Sequence, residues 1–380
     1  MPFWINILVG LLAFVVAALG GKALLPWLHK LKFGQPIKVD FGPSWHANKQ
    51  GTPTMGGLLF IFGSIIATAV GYALYRFFGT TDFVSTFSNR EALRLLSCMI
   101  FCLLFGVIGF IDDFAKVAKK QNEGLKPMQK IVLQVVAAVL WLAAMYWLGD
   151  RDTHIDLGFV RFNISWFYYP LMVLVILYLT NAVNLTDGVD GLCGTVTLVA
   201  MLIFTLICSK LQMGCYTLFT MALAGGCLGF LVWNLHPAKC FMGDTGSMYL
   251  GASVAAIGLA SHQHLSMILV ALVYILEALS VMIQVTYFKY TKKKYGEGRR
   301  IFKMTPIHHH FEMCGFSEYK IVITFFPHLI SQFHFRSPKF TQILKARGCR
   351  AGQGRLSFVL IVGTPVKIRR NVFPFLIFQY

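Results

Sequence analysis

Five aspartates in three short polar runs carry most of the chemistry this sequence can offer. Asp112 and Asp113 are adjacent in GFIDDFAK (109–116), Asp187 and Asp190 share NAVNLTDGVDG (181–191), and Asp244 lies in FMGDTGS (241–247). The first pair ends a long apolar run, where a carboxylate is costly to keep ionised. Grouped acids repel unless a cation joins them, and such oxygen ligands suit Mg²⁺, which takes one or two protein carboxylates along with phosphate oxygens. Gly188 and Gly191 flank Asp190, and Gly243 and Gly246 flank Asp244 and Thr245. Glycines there let backbone amides face an anion. Lys49, Lys116, Lys119, Lys120, Lys126 and Lys130 stand close by in sequence. One or two lysines among the acids would neutralise a diphosphate; the rest serve the charge bias of the membrane face or touch anionic lipid.

Other polar stretches have competing readings. In GTPTMGG (51–57), Thr52 reads as an N-cap and Pro53 as a first helical residue, an anion site or plain capping. His308, His309 and His310 are consecutive. Three such residues cannot all aim at one tetrahedral centre, so zinc is not expected. Glu277, Ser280 and Gln284 share one helical face and read as a buried polar seam. Phe241 faces lipid or stacks on a flat ring. The nine cysteines form no CxxC pair and read as small apolar side chains of membrane helices.

The elements that must position these groups are transmembrane helices. The chain has 380 residues, of which 56% are hydrophobic and 13% charged, about half the ~25% charge of a soluble domain. Apolar blocks fall at about 4–27, 55–78, 95–111, 131–148, 165–180, 192–208, 217–235, 248–262 and 265–288, with a tenth beginning near Lys320. Blocks near ~20 residues are bilayer spans. With the N-terminus outside, the inner loops carry 17 Lys and Arg and the outer loops six, which fixes the orientation by the positive-inside rule. The eighth block is short, and its crossing needs residues before Met248. All four polar clusters (112–113, 181–191, 241–247 and 306–312) then share the inner membrane edge. Acids that hold Mg²⁺, anion cradles, lysines and a membrane edge fit phosphoryl transfer from a soluble diphosphate to a lipid-borne acceptor, chemistry that is mostly positioning and charge neutralisation.

At these residues the sequence resembles the phospho-N-acetylmuramoyl-pentapeptide-transferases, of the polyprenyl-phosphate N-acetylhexosamine-1-phosphate transferase superfamily. The matching stretches are KQGTPTMGG (49–57), GFIDDFAK (109–116), NAVNLTDGVDGL (181–192), PAKCFMGDTGS (237–247) and RRIFKMTPIHHHFE (299–312). The resemblance implies an all-α polytopic fold of about ten helices, commonly a homodimer, in the bacterial inner membrane with its active site on the cytoplasmic face. It implies UDP-N-acetylmuramoyl-pentapeptide as donor, undecaprenyl phosphate as acceptor, lipid I and UMP as products, and Mg²⁺ as cofactor; nucleic acid is not a partner. Carried over, Asp244 and Asn184 are the metal ligands, and Asp112, with Asp113 beside it, accepts the proton of the lipid phosphate or orients it. Asn181, Asp187, Asp190, Phe241, Gly243, Ser247 and Lys116 map to the cleft around diphosphate and uridine. Lys49, Thr54, Lys130, Gln284 and His308 to His310 map to its rim.

After EYKIVITF (318–325) the pattern departs. FPHLISQFHFRSPKFTQ follows where a further apolar span is expected, and residues 319–380 hold ten Lys and Arg and no acid. Residues 1–325 therefore read as the transferase domain and 326–380 as a basic segment, either a reading-frame change or a real extension that binds lipid headgroups. Pro327 is expected to interrupt the last helix. The rival functions are a sibling transferase using UDP-N-acetylglucosamine, an ion-coupled transporter and a non-catalytic lipid-binding protein. GTPTMGG and PIHHHFE oppose the first, and a transporter would need a polar path to mid-bilayer, for which Glu277 and Gln284 are a thin basis.

Overall fold

The structure is a computed structural model that describes residues 3–30, 51–78, 89–118, 124–158 and 160–332. In chain order the helices are α1 (Phe3–Lys30), α2 (Leu58–Phe78), α3 (Asn89–Ala118), α4 (Pro127–Trp147), α5 (Tyr168–Thr186), α6 (Leu192–Lys210), α7 (Gly214–Asn234), α8 (Gly243–Ala260), α9 (His264–Val270), α10 (Leu272–Tyr295), α11 (Ile307–Met313) and α12 (Glu318–Gln332). An antiparallel pair, β1 (His154–Asp156) with β2 (Arg161–Asn163), joins α4 to α5. Among the described residues eight helices are long and apolar enough to cross a bilayer: α1 to α7 and α10. The chain is thus an all-α polytopic membrane protein.

α8 is the axis of the bundle. Every residue from Thr245 to Ala260 is buried, and α3 and α5 pack along it while α2 touches it near its start. Its small residues, among them Gly246, Gly251, Ala252, Ser253, Ala255 and Ala256, let neighbouring backbones approach closely, the usual device where lipid supplies no hydrophobic drive between helices. Near its start Tyr249 packs against Phe60 of α2, with ring centroids 6.3 Å apart, and the Tyr249 hydroxyl lies 3.1 Å from Ser64 Oγ of the same helix α2. A second layer packs α1 on α2 and α7, and α6 on α7. The helix of the short eighth block begins at Gly243, before Met248, yet with 18 residues it is not among the helices long and apolar enough to cross a bilayer, so the expected crossing there is not borne out by length and composition.

Helix lengths explain where the acids sit. α3 has 30 residues, about 45 Å at the α-helical rise, against a hydrocarbon core of ~30 Å. Its last turns, bearing Asp112, Asp113 and Lys116, can project into the headgroup layer without a break in the backbone. α5 runs on to Thr186, so Asn181 and Asn184 belong to its final turns.

Three expectations need correction. The block at 265–288 is not one helix: α9 and α10 meet at Ala271, and α10 continues to Tyr295, carrying Lys292, Lys293 and Lys294 on its last turn. Thr52 and Pro53 do not start α2, which begins at Leu58, because backbone pairing with residues 241–242 claims the preceding stretch. Helical backbone continues past Pro327 to Gln332, so the expected interruption there is not seen. At 15 residues α12 spans only about 22 Å. Of the cysteines described, seven are buried and Cys314 is exposed.

Candidate active site

The site begins with a close helix contact. A Cβ at Gly109 of α3 would lie 2.1 Å from the Asp244 carbonyl oxygen, so only glycine lets the α8 start come this near. One turn later Asp113 caps α8 from outside its own helix. Asp113 Oδ1 accepts from the Asp244 N–H at 3.2 Å, and Oδ2 accepts from the Thr245 N–H at 2.9 Å and the Thr245 hydroxyl at 2.8 Å. Free N–H groups at a helix start favour such a negative charge. Gly243, at φ +71°, makes the turn that aims them; a Cβ there would meet Asp113 Oδ2 and Thr54 Oγ1. Thr54 is thereby brought to the site.

Asp113 is thus engaged by protein, whereas Asp112 and Asp244 are neutralised chiefly by lysines. Lys116 Nζ lies 2.7 Å from Asp112 Oδ2, 3.1 Å from Asp244 Oδ2 and 3.7 Å from Asp113 Oδ1. Lys130 Nζ lies 2.7 Å from Asp244 Oδ2 and 3.9 Å from Asp112 Oδ2. The Leu125 N–H donates to Asp112 Oδ1 at 2.8 Å. Asn184 Nδ2 donates to Asp244 Oδ1 and to Ser247 Oγ, both at 2.8 Å.

The donor chemistry here fits a hard divalent cation. One oxygen from each of Asp112, Asp113 and Asp244 falls within 4.8 Å of the others, and the Lys116 ammonium already places positive charge among them. Among the described residues no imidazole or thiolate joins this group, as Mg²⁺ prefers. Both Asn184 bonds use its amide nitrogen, which leaves the amide oxygen for a cation.

The remaining aspartates part company. Asp187 terminates α5, and its carboxyl is pushed up to about 8, by burial first and then by the charges of Asp244, Asp113 and Asp190. Asp190 joins a different group. Its Oδ2 accepts from the Ala238 N–H at 3.0 Å and lies 3.1 Å from His236 Nδ1, while its own N–H donates to Glu318 Oε2 at 2.9 Å. His236, Glu318 and this role of Asp190 escape a sequence reading, since no motif joins them.

The rim residues divide similarly. Phe241 is half-buried, and its backbone pairs with GTPTMGG: its N–H donates to Pro53 O at 2.9 Å and its carbonyl accepts from Gly56 N–H at 2.8 Å. Asn181 is bound to Gln134, a residue the sequence did not single out, at 2.9 Å, and to Leu177 O. Gln284 Oε1 accepts from the N–H groups of Ile301 and Phe302, and its Nε2 donates to Phe302 O. The polar face of α10 therefore holds the 301–308 segment rather than a neighbouring span. The three histidines point to three partners: His308 to Glu277, His309 to Glu312, and His310 Nδ1 to the Lys303 N–H. That divergence agrees with the case against zinc. Burial, then Lys303, holds the His310 imidazole below its ordinary range. Lys49 lies outside the described residues.

Comparison with known proteins gives the same picture. The glycosyl transferase family 4 model matches residues 95–262, and phospho-N-acetylmuramoyl-pentapeptide-transferase signature 1 matches residues 49–61. A phospho-N-acetylmuramoyl-pentapeptide-transferase of Carboxydothermus hydrogenoformans is 41% identical over 325 residues, 83% of this chain and 92% of the relative. Proteins of the same name from Shouchella clausii and Acetivibrio thermocellus are each 40% identical, covering 86% of this chain and 94% and 93% of their own lengths. Signature, identity and coverage agree, and the chain belongs to the phospho-N-acetylmuramoyl-pentapeptide-transferase family.

Proposed function

We propose that this chain transfers phospho-N-acetylmuramoyl-pentapeptide from its UDP carrier to undecaprenyl phosphate, giving lipid I and UMP, at the cytoplasmic face of the bacterial inner membrane. The observation that carries this reading is the convergence of Asp112, Asp113 and Asp244 with Lys116 and Lys130 where a membrane-length helix ends. With α8 counted as a crossing, the 17-to-six excess of basic residues in loops on that side supports the orientation. The homodimer belongs to the proposal through the family alone.

In the mechanism, Asp112 takes the proton of the lipid phosphate, and the freed oxygen attacks the sugar-linked phosphorus of the donor. A new P–O bond forms, the diphosphate bond breaks and the electron pair leaves with UMP. Asp244 and Asn184 would hold the Mg²⁺, which would supply positive charge to offset that of the diphosphate. Lys116 and Lys130 exchange their carboxylates for phosphate oxygens as substrates enter. Asp113 orients Asp244 through the α8 amides. With both its oxygens engaged there, Asp113 is a poor nucleophile; a covalent route through Asp112 stays the alternative to one displacement. Asn181, Asp187, Asp190, Phe241, Gly243 and Ser247 frame the donor cleft, and Lys49, Thr54, Gln284 and His308 to His310 its rim.

UMP release from UDP-N-acetylmuramoyl-pentapeptide with undecaprenyl phosphate and Mg²⁺ tests the assignment. Release from UDP-N-acetylglucosamine in its place would overturn it. Exchange of labelled UMP into the donor by acceptor-free enzyme would overturn the single displacement. We propose further that residues 326–380 are a replaced end, so that restoring an apolar final helix raises activity or thermal stability. Full activity of the natural chain, lost on removing the tail, would favour the lipid-binding extension instead.

A further inference from the structure

Glu277 of α10 is fully buried, as is His308 of α11. Glu277 Oε2 accepts from the His308 backbone N–H at 3.3 Å and lies 3.0 Å from its Nδ1. Two atoms of this pair are buried without a hydrogen-bond partner: Glu277 Oε1 and His308 Nε2. Buried polar groups left unpaired are rare enough to need a reason. The far edge of the imidazole supplies one. A Cβ at Gly188 would lie 2.3 Å from His308 Nε2, so the ring edge seats directly on the turn that follows α5. That turn carries Asp187, and the Asp187 N–H in turn bonds to the Asn184 carbonyl at 3.3 Å.

A carboxylate that accepts from Nδ1–H fixes both the tautomer and the plane of the ring. With its plane fixed, the ring becomes a rigid strut between α10 and the 184–188 turn. We infer that Glu277 is a positioning residue: acting through His308, it sets the Asn184–Gly188 turn for the nucleotide-sugar donor. This rests on the function proposed above, in which that turn faces the donor and not the lipid acceptor. A polar pair that merely joined two elements would influence both substrates alike.

The test measures UDP-N-acetylmuramoyl-pentapeptide binding by calorimetry and, separately, KM for each substrate, on the full chain in detergent micelles. Glu277→Gln keeps the size but loses the charge. Gly188→Ala leaves the pair intact but crowds the strut, so it serves if the first variant does not fold. Each is expected to weaken donor binding about tenfold or more, the scale for outer partners of a ligating group, with KM for undecaprenyl phosphate unchanged. Glu277→Asp is expected to recover part of the loss, and Glu277→Gln combined with His308→Gln to be no worse than the weaker single variant. Equal loss toward both substrates, unchanged donor binding, or additive effects would overturn the inference. A wild-type chain that binds donor without turning it over would sink the proposed function alone, and one that binds no donor would sink both.

Discussion

Two acidic clusters of similar composition lie at this end of the bundle, and they are neutralised in different ways. Asp112 and Asp244 face the ammonium groups of Lys116 and Lys130, charges on long side chains that can move aside. Asp190 and Glu318 face backbone N–H groups and His236, partners fixed by the chain path. The Tyr319 hydroxyl also donates to the His236 carbonyl, tying the start of α12 to the same loop. Both groups have the spacing to hold a metal ion, but ammonium groups on long side chains are more readily displaced than backbone amides, so under the proposed function the first is the reactive cluster and the second a clamp. A cluster's composition therefore says less than the identity of its neutralising partners.

The sharpest break of this comparison is Asp244→Asn. It should lower UMP release by at least ~10²-fold, the scale for losing a positioned charge, and Mg²⁺ should raise the Tm of the wild type but not of the variant. Chelation should reproduce the loss in the wild type, and Mg²⁺ should restore it. Asp113→Asn comes next and should damage both properties, because an amide nitrogen cannot accept the α8 N–H groups. A loss of about 1–3 kcal/mol in stability, read from unfolding in micelles, would accompany reduced turnover.

Asp190→Asn should reverse the balance, with Tm falling by a few degrees and turnover by less than tenfold. Loss of turnover as large as for Asp244→Asn, at unchanged Tm, would merge the two clusters into one site. At Asp187 the expected effect is on the pH dependence of stability. Its folded-state pKa near 8 lies above the unfolded value of ~3.9, so the native state holds a proton that the unfolded chain releases as pH rises. Stability then falls between about pH 4 and 8. Asp187→Asn should flatten that slope, raising Tm at pH 8 and leaving it nearly unchanged at pH 4.

Much of this was legible in the chain. Long apolar blocks gave the membrane helices, and acids beside glycines at the block ends gave Asp112, Asp113 and Asp244. The cap that Asp113 makes was not legible, because its partner lies 131 residues away and α3 carries no sign of serving another helix. Thr52 and Pro53 misled for the reverse reason: a good local capping signal lost to backbone pairing with residues 241–242. Glu277 was placed on a polar seam, but its partner His308 comes 31 residues later on a separate short helix. Gln134 gave no signal, being one polar residue in an apolar run.

From the sequence alone follow the membrane class, the helix-rich fold and the family, since all depend on residue type and local spacing. Tertiary structure decided which of the five aspartates come together, Asp112, Asp113 and Asp244 around Lys116, and which, Asp190, joins His236 and Glu318 instead. A carboxylate's role depends on what lies within a few ångströms of it, and here those neighbours are brought together by close helix approach at Gly109 and Gly243.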